Sequence, residues 1–199
     1  MLSLPQSTEI RKQLPKTAIY QVFGLNSAAK DRFDEDVSRM YIVNEISPQS
    51  VSIAAGGDVN QFFVVQVLLK QAEYDERSIA AIAKLIPQNV LFVLEYEGES
   101  QLAVWRTKLI KSDWKPTEQH SVTLRGLDLA AAWENIIADI GGISVEEGNT
   151  LNEQIVLNEQ RAKIEKEIAR LEKLARAEKQ PKRKFELVQK IKELKGELK

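Results

Sequence analysis

The run Val59–Lys70, V-N-Q-F-F-V-V-Q-V-L-L-K, is short, apolar, rich in β-branched and aromatic residues, and closed by a charge. Such a run reads as a buried strand. A helix-length segment later, Val90–Tyr96 (V-L-F-V-L-E-Y) repeats the pattern and reads as its neighbour in a sheet. Between them, Asp75–Ile86 places Ile79, Ile82, Ala83 and Ile86 on one stripe and is closed by Pro87, as a helix would be.

Upstream, Thr8–Leu14 reads as a short helix with Ile10 and Leu14 on one face, stopped by Leu14-Pro15, because the residue before a proline is pushed out of the helical region. Ala18–Phe23 reads as a strand. Asn26-Ser27 supplies cap residues for a helix over 28–40 in which Phe33, Val37 and Met40 recur at helical spacing. Tyr41–Ile46 and Val51–Ala55 read as strands about the turn Ser47-Pro48-Gln49-Ser50, and Gly56-Gly57-Asp58 turns the chain into the central run. The economical reading is three antiparallel strands on short turns.

Downstream, Gln101–Leu109 is strand-like and Trp114–Thr123 is a polar connection. Asp128 opens a helix to Ile140, with Leu129, Trp133, Ile136, Ile137 and Ile140 as its buried stripe and Gly141-Gly142 as its end. Together these elements define an α+β domain over residues 1–148: a mixed, mainly antiparallel sheet flanked by helices.

Residues 149–199 have a different character. Leu157, Ile164, Ile168 and Leu171 follow heptad-like steps, and Gln180-Pro181-Lys182 breaks the pattern. Phe185, Val188, Ile191, Leu194 and Leu198 then form a second stripe. The expected product is a charged helical arm broken near Pro181, either a hairpin or a coiled-coil-like extension that pairs with another chain. A polar helix of this length gains most of its stability by packing, so a protein partner or a homo-oligomer is implied. Charge is divided in the same way. Residues 160–199 hold 14 Lys and Arg against 7 Asp and Glu, a net of +7, while the rest of the chain carries −8.

The chemistry that residue types permit is narrow. With no cysteine there is no disulfide framework or thiolate metal site, and a single histidine, His120, makes neither an imidazole metal site nor a triad. His120 sits in a polar stretch and reads as a surface residue. Glycine patterns for phosphate or dinucleotide binding are absent. The surroundings of Lys70, and Asp113-Trp114-Lys115, are incomplete matches to the acid-and-lysine constellation of magnesium nucleases. No catalytic residue, metal site or cofactor is therefore assigned. Trp105 and Trp133 read as core, and Trp114 as an exposed ring that could stack on a base. The basic cluster Lys179, Lys182, Arg183 and Lys184 at the arm's bend is the one electrostatic hint of nucleic acid. No apolar run approaches a membrane span or a signal peptide, so the expected location is the cytoplasm.

Leu14-Pro15-Lys16, Lys30-x-x-Phe33-x-x-x-Val37, Ser47-Pro48 before Val51-Ser52-Ile53, Gln61-x-Phe63-x-Val65-x-Val67-x-Leu69-Lys70, and Ile86-Pro87-x-x-Val90-Leu91-Phe92-Val93-Leu94 occur in an order that resembles the bacterial domain of unknown function 4391 family. In that family the central strand tends to open on acidic residues, where this chain has Val59-Asn60-Gln61. The resemblance implies a gene encoded beside DNA methyltransferases and helicases of restriction-like or phage-defence loci. It implies an accessory protein rather than an enzyme, with a degenerate or unrecognised magnesium-dependent nuclease-like domain as the alternative, and supplies no catalytic residue.

Overall fold

The computed structural model describes residues 2–24 and 26–198, with Val22 and Phe23 described by their backbone only. Its contacts partition the chain into two compact units, Met1–Ile143 and Ser144–Lys199.

The first unit is built on a seven-stranded sheet. Its elements are β1 (Glu9–Leu14), α1 (Lys16–Phe23), α2 (Ser27–Asp36), β2 (Val37–Ile46), α3 (Pro48–Val51), β3 (Phe62–Leu69), α4 (Glu76–Leu85), β4 (Asn89–Tyr96), β5 (Glu99–Trp105), β6 (Leu109–Lys111), β7 (Lys115–Pro116) and α5 (Leu129–Gly141). The strands lie in the order β1-β2-β3-β4-β5-β6, and β7 pairs with β5. The central run and its neighbour do pair. Val65 stands beside Phe92 and Val67 beside Leu94 in a parallel ladder, the direction a helical crossover through α4 permits. Every other pairing is antiparallel. The fold is thus α+β with a mixed, mostly antiparallel sheet.

Alternation along β3 and β4 gives two apolar faces. Val65, Val67, Phe92 and Leu94 join Ile19 of α1, Phe33 of α2 and Ile79 and Ile82 of α4 in one buried cluster. On the opposite face Phe62 meets Trp133 of α5, ring centroids 5.0 Å apart, and Leu129, Ile136 and Ile137 are buried along the same helix. Local signals start the helices as their chemistry demands. Asn26 accepts from the Ala29 amide (2.9 Å), Asp75 from Arg77 (2.9 Å) and Asp128 from Ala131 (2.8 Å).

Several local expectations are overturned. Residues 9–14 form strand β1 rather than a helix, because a spacing of four keeps Ile10 and Leu14 on one face in either structure. Residues 18–23 are helical rather than extended, since Pro15 caps the start of α1 instead of ending an earlier helix. The helix from 28 stops at Asp36, and Val37 and Met40 are buried in β2. Val51–Ala55 is not a strand. Ser47 and Ser50 form a capping box around the short helix α3, Ser52 is left-handed at φ 54°, and Ala54 makes one isolated bridge to Asp128. The three antiparallel strands are accordingly β1, β2 and β3. Val59–Gln61 precedes the central strand, and the loop expected over 114–123 contains β7 and a 3-10 turn at Thr117–Gln119.

The second unit holds α6 (Leu151–Ala177) and α7 (Pro181–Glu197). Among the described residues no helix is long and apolar enough to cross a membrane.

Candidate functional site

The arm begins at a reciprocal cap. The Thr150 amide donates to Glu153 Oε2 (2.8 Å), and the Glu153 amide donates to Thr150 Oγ1 (3.3 Å). The hydrogen bonds from Thr150, backbone first, hold the Glu153 carboxyl below its usual range. Pro181 then occupies the first turn of α7, where its missing N–H costs nothing. The two helices close on each other. Ile168, Leu171, Ala175 and Ile191 are buried together, with Ile164, Leu187, Leu194 and Leu198 packed against them, and Lys195 Nζ meets Glu172 Oε1 at 2.8 Å.

Six of the nine expected association residues therefore meet within the arm: Ile164, Ile168, Leu171, Ile191, Leu194 and Leu198. Leu157 is half-buried and outside that cluster. Phe185 and Val188 are 64% and 49% exposed. The reason is geometric: steps of three residues fall short of a turn, so Phe185 stands about 180° around α7 from Leu194. Leu187, which the stripe omitted, takes the inward place. Of the basic cluster, Lys179, Lys182, Arg183 and Lys184 are all exposed around the bend. Lys179 and Arg183 also line a cleft of ≈ 750 Å³ with Leu174, itself 46% exposed.

Trp114 does not present a free ring. It is half-buried and packs against the core cluster that includes Phe92, as Trp105 also does. Trp133 is buried.

Lysines remote in sequence converge in the first unit. Lys16 Nζ and the Tyr20 hydroxyl each donate to Asp34 Oδ1 at 2.6 Å, Lys30 lies over the Tyr20 ring, and the charge of Lys70 acts on Asp34. Burial opposes ionisation of Asp34, but the hydrogen bonds from Lys16 and Tyr20 outweigh it and hold the carboxyl below its ordinary 3.8. Burial first, and the bond to Asp34 second, push the Tyr20 phenol well above its usual range. The other acid of this region, Asp36, is 3% exposed and accepts from Ser78 Oγ (2.7 Å), the Asp75 amide (3.1 Å) and Gln71 (3.3 Å). Its oxygens are thus occupied in joining α2 to α4. No group of three or more metal-ligating side chains exists among the described residues.

His120 is not a surface residue. It is 7% exposed, and its Nε2 stands 2.8 Å from the Ser100 carbonyl oxygen. The 3-10 turn before it and β7, which sets Lys115 opposite Ser100, bring it onto β5. A cavity of ≈ 180 Å³ opens beside the ring, floored by Leu102, Ile136 and Ile140 and edged by Lys115, Ser121 and Thr123. Polar composition around a lone histidine suggested exposure, and only the pairing of β7 with β5 reveals otherwise.

Fold and site together define an α+β protein whose sheet domain carries a helical hairpin. The chain belongs to the family described as Domain of unknown function (DUF4391), whose profile matches residues 2–198. No curated protein and no solved structure matches it.

Proposed function

We propose that this protein is an accessory interaction protein of a bacterial restriction-like or phage-defence system, and that it docks a protein partner through the arm. The observation that carries the reading is the exposure of Phe185 and Val188 on a hairpin whose own core is already closed by Ile168, Leu171, Ala175 and Ile191. Three residues apart on α7, the two side chains stand side by side as one apolar spot. Lys182, Lys184 and Lys192 surround them, so the partner surface that fits is apolar at its centre and acidic at its rim. The proposed partner is a DNA methyltransferase or helicase subunit, the class of gene neighbour that the family resemblance implies. The test is co-purification of the full-length chain with such subunits, beside the F185E/V188E variant. A complex lost in the variant supports the reading. An unaltered complex places the interface elsewhere.

A second reading, nucleic-acid contact at the bend, draws on the exposed Lys182, Arg183 and Lys184. It requires binding that weakens steeply with salt and disappears when those three charges are reversed.

A further inference from the structure

We propose that the cavity beside His120 is a binding site for a small organic carboxylate, independent of the arm. The site is built from three adjacent pieces of chain: β5 supplies Leu102, the β7 segment Lys115, and α5 Ile136 and Ile140. His120 closes it. A carbonyl oxygen only accepts, so Nε2 carries a proton and donates it in the bond to Ser100. Among the described residues Nδ1 has no side-chain or backbone partner, yet it is not among the fully buried unpartnered atoms, and the ring lines the cavity.

The one such atom among the described residues is the Ser100 hydroxyl oxygen, on a residue with 0% exposure. Ser100 precedes Leu102 by two residues on β5 and so shares its sheet face. A buried hydroxyl without a partner is costly, and here it stands on the same face as the cavity.

The chemistry of the lining selects the ligand. Leu102, Val122, Ile136 and Ile140 offer an apolar floor, and Lys115 a cation that forms no ion pair among the described residues. The one acid in the lining, Asp139, is already held by Arg125 Nη2 at 2.6 and 2.7 Å, so its charge is balanced. Space for on the order of ten waters accommodates a ligand of roughly as many heavy atoms. An oxyanion on Lys115, with a short apolar tail on the floor, satisfies both halves.

The experiment is an amide NMR titration of the full-length chain with butyrate, inorganic phosphate and 1-butanol, repeated on Lys115→Met and Ser121→Phe. Saturable shifts confined to 112–123 and 136–140 are expected with butyrate. Loss of one charge-assisted bond should weaken them about tenfold in Lys115→Met, and the bulk of Ser121→Phe should block them. Phosphate saturating more tightly than butyrate would overturn the carboxylate assignment in favour of a phosphate ligand. Equal binding of the alcohol, or shifts that stay linear and spread over the lysines of the arm, would overturn the site itself. Both variants change exposed side chains, so a folded spectrum is expected from each.

Discussion

Lys195 of α7 lies 2.8 Å from Glu172 of α6, across the seam of the hairpin and level with its buried core. The carboxyl of Glu172 is held below its usual range first by this hydrogen bond. Both side chains are substantially exposed, so the pair fixes register more than it adds stability. The stability of the arm rests on its apolar seam.

Leu171→Ala therefore empties the centre of that seam, at a cost of about 2–4 kcal/mol in local stability. Hydrogen exchange should show protection falling along α6 and α7 while the strands of the first unit keep theirs. Uniform loss over the whole chain would contradict the division into two compact units.

Gly56 is the close approach on which the start of α5 depends. A Cβ there would overlap the Asp128 carboxylate, which caps the helix through the Ala131 amide. Gly56→Ala should cost about 0.5–2 kcal/mol, the range for a lost N-cap. In an Asp128→Ala background the same substitution should cost much less, because the cap is already gone. Urea denaturation of the four proteins of the cycle measures the coupling.

Asp34 gives the fold a pH dependence of known sign. Its folded pKa lies below the unfolded value near 3.8, so the bonds from Lys16 and Tyr20 contribute stability above that pH. The contribution is lost as pH falls through the lowered value. Asp34→Asn should then lower the urea midpoint at neutral pH and leave it nearly unchanged at about pH 2. Because the Asp34 side chain is 45% exposed, solvent screening keeps the effect modest.

Reversing Lys182, Arg183 and Lys184 to glutamate should slow partner association and weaken its salt dependence, since rim charges act mainly on encounter. The arm should stay folded, as none of the three lies in its seam. Surface plasmon resonance at two salt concentrations, with circular dichroism as the control, reads both effects.

What the sequence disclosed, and what it hid, follows one physical distinction. The runs around Val65 and Phe92 were legible because a strand buried on both faces is a continuous apolar run, and α4 and α5 because their stripes and caps agree. Residues 9–23 were misread because Ile10 and Leu14 fit two periods and Pro15 marks a start as readily as a stop. Val37 and Met40 kept helical spacing from Phe33 while pairing in β2, where tertiary contacts override local periodicity. The arm's seam was visible through Ile164, Ile168 and Leu171, but Leu187 was missed for Phe185 and Val188. The burial of His120 and the bonds of Lys16 and Tyr20 to Asp34 were not legible locally, because β7, α1 and α2 bring these groups to their partners from 14 or more residues away.

The central claim is that the exposed face of α7 is an association surface. Light scattering on the full-length chain, alone and mixed with the proposed methyltransferase or helicase partner, tests this most directly when run against F185E/V188E. The account predicts a mass above that of the protomer in the mixture and a return to separate components with the variant. Separate components with the wild-type chain, or a complex that the variant leaves intact, would contradict it.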